Sequence, residues 1–154
     1  MSRPQLKRIS LGCTHALSLQ VTTRLRIPMP AKKVLSSPRV PRLGPYSLAV
    51  QVGDLIYIAG PAGIDPASGK PAGDTFAAQA RQAFSNLRTL LDDVGSGMDQ
   101  VIKVTCFVTE PEAFGTLNEL FAEYFPAAPP VRSTPVVALP RGLKFSIDAI
   151  AVAK

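Results

Sequence analysis

One arginine stands inside an apolar stretch near the C-terminal end: Arg132, in PPVRSTPVVALP. A guanidinium presents five N–H donors in a fixed plane and is costly to bury unpaired, so Arg132 calls for an anion. Further on, KFSIDAIA puts Ser146 and Asp148 on alternate positions of a strand pattern, where both side chains share one face. A cationic anchor with hydroxyl and backbone groups around it binds a carboxylate bidentately and positions a substrate. Such a site suits a reaction whose electrophile is already reactive.

Other chemistries are excluded by what the chain lacks. Its one histidine, His15, lies in the N-terminal segment, so the rest has no Ser-His-Asp or Cys-His arrangement, histidine metal site or histidine acid/base. Two separated cysteines, Cys13 and Cys106, make neither a zinc site nor a disulfide framework. No metal is expected, and a reducing compartment follows. Cys106, in VIKVTCFV, reads as a small buried hydrophobe.

The net charge of +6 belongs mainly to the start of the chain. No Asp or Glu precedes Asp54, and residues 1–28 hold Arg3, Lys7, Arg8, Arg24 and Arg26. From Met29 onward, twelve basic residues face eleven acidic ones, which argues against a nucleic-acid surface. Two readings of residues 1–28 stay open: an organelle transit peptide, or residues upstream of a start at Met29, with disorder expected in both. Residues 29–154 read as one domain. No stretch approaches the roughly 18 apolar residues of a membrane span, so a soluble, cytoplasmic protein is expected.

The elements that must position Arg132 follow from periodicity. Pro30, Pro38, Pro41 and Pro45 predict an extended lead-in. Tyr46–Gln51 and Asp54–Ala59 read as strands about a Val52–Gly53 turn, the second covered on both faces. Gly60–Gly73 is a loop without the GK[ST] ending of a phosphate loop; Gly60, at a strand end, admits a ligand to the backbone. Asp74 is the predicted N-cap of a helix over Thr75–Val94, with Gln79, Gln82, Asn86 and Thr89 facing outward and Gly95 as the stop. Val101–Val108 is a strand, with Ile102 on its buried face. Glu110–Phe125 is a second helix, with Phe114 on its apolar stripe and Asn118 buried within that arc. Two closing strands follow, joined by LPRGLK. The pattern predicts an α+β fold, a single mixed sheet with both helices on one face. The second sheet face is then covered by other subunits.

These stretches resemble the RidA (YjgF/YER057c/UK114) family of reactive-intermediate imine deaminases. The resemblance rests on KKVLSSPRVPRLGPYS, GDLIYIAGPAGIDPASGKP, AAQARQAFSNLRTLL, VIKVTCFVTEPEAF, LNELFAEYFP, PVRSTPVV and KFSIDAIAV, and spans nearly all of Lys32–Lys154. It implies a chorismate-mutase-like homotrimer with inter-subunit clefts, no metal and no organic cofactor. It also implies hydrolysis of 2-enamine/2-imine acids, such as 2-aminoacrylate, to 2-keto acids and ammonia. The family's carboxylate-gripping arginine falls on Arg132, and its substrate-binding glycine, tyrosine and asparagine fall on Gly60, Tyr46 and Asn118. Three positions depart from the family: Ala59 replaces a serine, Thr134 a cysteine and Ser146 the glutamate that orients water. The chain is also one residue shorter between Arg132 and Leu139. Thr134 and Ser146 are the candidate catalytic partners of Arg132, with Asp148 as a second candidate for the glutamate's role. A non-catalytic carboxylate-binding or regulatory member of the family is the alternative. RNA cleavage, reported for part of the family, fits the near-neutral core poorly.

Overall fold

The computed structural model describes residues 30–154, so the readings of residues 1–28, with Cys13 and His15, lie outside the described residues. Eight regular elements form in the order β1 (Lys33–Leu35), β2 (Ala49–Val52), β3 (Leu55–Ile58), α1 (Phe76–Asp93), β4 (Val101–Val108), α2 (Phe114–Tyr124), β5 (Val131–Ser133) and β6 (Phe145–Val152). The strands make one six-stranded mixed sheet, β1-β2-β3-β6-β4-β5. Every pair is antiparallel except β4 with β5.

Alternation along β6 sets the two faces. Phe145, Ile147, Ala149 and Ala151 are buried, while Ser146, Asp148, Ile150 and Val152 are half-buried. Val104, Cys106 and Val108 of β4 are buried on the same side. Both helices cover that side. α1 contributes Ala80, Ala83, Phe84, Leu87, Leu90 and Leu91, and α2 contributes Leu117 and Leu120. The ring of Phe84 stacks on Tyr124 at 4.8 Å and meets Phe145 of β6 at 5.5 Å, joining α1, α2 and the sheet. Among the described residues no helix covers the opposite face, where cross-strand pairing brings together Tyr57, Lys103, Thr105, Phe107, Asp148 and Ile150. Among the described residues β3 is therefore covered on a single face, and Tyr57 is 46% exposed. No helix among the described residues is long and apolar enough to cross a membrane.

Several local expectations are corrected. The closing strands are not neighbours, because β4 lies between β5 and β6. β5 returns through α2 and pairs parallel with the strand it left, as a strand-helix-strand crossover allows. The lead-in contains an edge strand, β1, because Pro30 and Pro38 flank Lys33–Leu35 without interrupting it. β2 and β3 are shorter than expected and turn at Gly53–Asp54. The cap of α1 is Thr75, not Asp74; its hydroxyl accepts from the Ala78 N–H at 3.2 Å. Gly95 does follow the helix end, and the Ser96 N–H donates to the Leu91 carbonyl. A 3-10 turn at Pro111–Ala113 precedes α2, which begins at Phe114. A bulge between Val101 and Lys103 turns Ile102 outward.

Candidate functional site

Arg132 is opposite Val104 in the β4–β5 register, and Val104 is fully buried under the helices. Paired residues share a sheet face, so Arg132 leans over the sheet edge toward α2. Its Nη2 donates to Asn118 Oδ1 at 2.6 Å. Its guanidinium carbon lies 4.6 Å from the Phe121 ring centroid and 5.4 Å from that of Phe114. The two rings and one amide orient the guanidinium plane, and among the described residues no carboxylate pairs with it. It opens on a cavity of about 460 Å³ shared with Asn118, Phe121, Pro129 and Pro130. Asn118 is exposed here, not buried, and Phe114 is half-exposed. Asn118 lines this cavity, and Phe114 stands beside the guanidinium outside it.

A second cavity, of about 280 Å³, gathers Tyr46, Gly60, Ala62, Leu139, Arg141 and Ser146. The Ser146 hydroxyl donates to the Gly60 carbonyl at 3.3 Å. A Cβ at Gly60 would stand 2.8 Å from Ser146 Oγ, so only glycine leaves that hydroxyl undisturbed. The loop after β3 runs beside β6, with Ala62 bridged to Ser146 and the Ile147 N–H donating to the Pro61 carbonyl at 3.1 Å.

Two buried amides of α1 hold this cavity, and both were expected to face solvent. Asn86 Nδ2 donates to the carbonyls of Ala62 and Ile64 at 3.0 and 2.8 Å. Gln79 donates to the Gly73 carbonyl at 3.0 Å and accepts from the Lys144 N–H at 2.8 Å. Gly63 passes so close to α1 that a Cβ there would lie 2.4 Å from the Gln79 carbonyl oxygen. The available signal is spacing: residues seven apart stack two turns away on one helix face, beside a glycine-rich loop whose carbonyls lack strand partners. Asn86→Ala is expected to leave the Ile64 carbonyl unpaired, while the Ala62 carbonyl keeps the Ile64 N–H at 2.8 Å, and to cost about 1–3 kcal/mol in urea unfolding.

The remaining candidates are spread out. Thr134 follows β5, half-buried, while Ser146 pairs with Phe107 across β4. Those strands stand two spacings apart, about 9.5 Å. Asp148 lies on the uncovered sheet face, in a third cavity with Tyr57 and Lys103, and its Oδ1 accepts from the Thr105 N–H at 2.9 Å. It does not line the Ser146 cavity. Within the chain the site residues thus fall into two separate groups, Arg132 with Asn118 and Tyr46 with Gly60 and Ser146.

Cys106 is fully buried on the helix side, and burial pushes its thiol up to about 12 despite the positive charge of Arg132. The reading of a buried hydrophobe stands. In a Cys13→Ser background, Cys106 is expected to resist a thiol-specific disulfide reagent in mildly alkaline buffer until denaturant unfolds the chain.

Fold and site together define a single-sheet α+β protein with one helix-covered face and separate clefts at Arg132 and at Ser146. The sequence profile of the family described as Endoribonuclease L-PSP matches residues 37–153, and the chain belongs to this family, the RidA family. The mouse 2-iminobutanoate/2-iminopropanoate deaminase is 42% identical over 123 residues, 79% of this chain and 91% of the mouse protein. A crystal structure of the Rid-family protein YyfA from Yersinia pestis superposes with a TM-score of 0.77 at 32% identity, covering 80% of this chain and 100% of that one. The crystal structure of E. coli TdcF with bound serine superposes with a TM-score of 0.74 at 31% identity, covering 79% and 99%. Relatives named as imine deaminases support a deaminase role at the level of the family.

Proposed function

We propose that this protein hydrolyses reactive 2-enamine and 2-imine acids of the 2-aminoacrylate type to 2-keto acids and ammonia, with Arg132 gripping the substrate carboxylate. The observation that carries this reading is a guanidinium stacked on aromatic rings, bonded to Asn118 and left without a carboxylate partner among the described residues. The working site is composite. The Arg132–Asn118 edge of one protomer meets the Tyr46–Gly60–Ser146 cavity of the next in a homotrimer. The separation of the half-sites supports this, as does the uncovered sheet face with Tyr57, Phe107 and Ile150.

The reaction needs little proton machinery. The protonated imine carbon is electrophilic, and water adds to it as the C=N π electrons move to nitrogen. One proton passes from the added water to nitrogen, the C–N bond breaks with its electron pair, and ammonia leaves, taking the remaining hydroxyl proton as ammonium while the carbonyl forms. Ser146 commits its proton to the Gly60 carbonyl, so its oxygen offers lone pairs that orient the attacking water. Arg132, together with the backbone at Gly60 and Thr134, positions the acid.

Pyruvate release from enzymatically generated 2-aminoacrylate tests the reading. The protein is expected to accelerate it above the spontaneous rate, and an unchanged rate overturns the proposal. Sedimentation should give the mass of three chains. A carboxylate-binding, non-hydrolytic role is the second reading, favoured by a Ser146 cavity lined by no carboxylate among the described residues. Keto-acid binding without turnover would establish it.

A further inference from the structure

We propose that the Ser146 cavity receives a second carboxylate, so that the preferred ligand is a 2-imino or 2-keto dicarboxylic acid whose distal carboxylate is held by Arg141. The inference rests on the composite site proposed above and names its substrate class. Among the described residues, Arg141 is the only charged one lining the cavity, and no acid offsets it. Within the same residues its side chain makes no ion pair and no hydrogen bond. Ser146, on the same wall, is neutral and would not repel an anion.

The backbone presents this cation at a conformational cost. Arg141 has φ 62° and ψ 25°, the left-handed region that side chains other than Gly, Asn and Asp rarely occupy. The turn around it is fastened: the Leu143 N–H donates to the Pro140 carbonyl at 3.2 Å, and buried Leu143 packs with Ala62 and Ile64 of the Gly60 loop. A strained, anchored backbone holding an unpartnered guanidinium at a cavity rim is a pattern of ligand clamps. The cavity, about 280 Å³, has room for the side chain of a four- or five-carbon acid whose α-carboxylate lies on Arg132. A monocarboxylic acid would leave Arg141 to water. A dicarboxylic one gains a charge-assisted fork of hydrogen bonds.

Calorimetric titration of the full chain with 2-oxoglutarate and with 2-oxopentanoate, its monocarboxylic counterpart, tests this. 2-Oxoglutarate is expected to bind about tenfold more tightly, the effect of one charge-assisted contact. Arg141→Gly relieves the left-handed strain and so is expected to keep the fold, which circular dichroism checks; it should bring the affinity ratio close to one. Equal wild-type affinities, or a ratio that survives Arg141→Gly, overturn the inference and leave the deaminase reading intact. Failure of both acids to bind also overturns it. The deaminase reading fails separately, if no imine, mono- or dicarboxylic, is hydrolysed above the spontaneous rate.

Discussion

Arg132→Ala is expected to lower kcat/KM for imine hydrolysis by about a thousandfold while the protein stays folded. The loss corresponds to about 4 kcal/mol, the size of two charge-assisted hydrogen bonds to one carboxylate. The fold should survive because Arg132 sits half-buried on a three-residue edge strand, and its local ties are one bond to Asn118 and contacts with two rings. Arg132→Lys keeps the charge without the planar fork and should retain part of the activity, about a tenth of wild type. Steady-state rates with enzymatically generated 2-aminoacrylate provide the measurement. An Ala variant within twofold of wild type would mean that the carboxylate is gripped elsewhere.

Phe84→Ala is expected to cost about 4 kcal/mol of stability, near the upper range for deleting a buried aromatic ring. Phe84 is fully buried and lies within aromatic contact of Phe121, Tyr124, Phe125 and Phe145, at centroid distances of 4.8 to 6.4 Å. No neighbouring ring can move into its place without leaving its own contact. The midpoint of urea unfolding reads the effect, and a shift worth under about 1.5 kcal/mol would show that the core relaxes around the gap. The damage should reach the site as well. Phe121 touches both Phe84 and the Arg132 guanidinium, so loosening α2 slackens the wall that orients the arginine. Faster amide exchange along α2 is the expected signature.

Local pattern makes much of this protein legible in its sequence. The span of β4 and its alternation from Lys103 onward, the apolar stripe of α1 and the Gly95 stop depend on neighbours along the chain, and they form where expected. The family likewise is carried by contiguous motifs spread along the chain. Pairing is less legible. The turn LPRGLK suggests a hairpin, but nothing local says that a long central strand gains more between β3 and β4 than beside β5. The outward reading of Gln79 and Asn86 fails for a related reason. Polarity predicts exposure only when no buried carbonyl needs a donor, and the carbonyls they satisfy belong to a loop that local pattern does not connect to the helix.

By itself, then, the sequence determined every element but β1, the fold class, the family and the presence of a cationic anchor, because periodicity and motif are properties of neighbouring residues. Tertiary structure alone decided that Arg132 faces the helices while Ser146 pairs across β4 beside a separate cavity. A strand's face and neighbours depend on register across the sheet, which no single segment of chain contains.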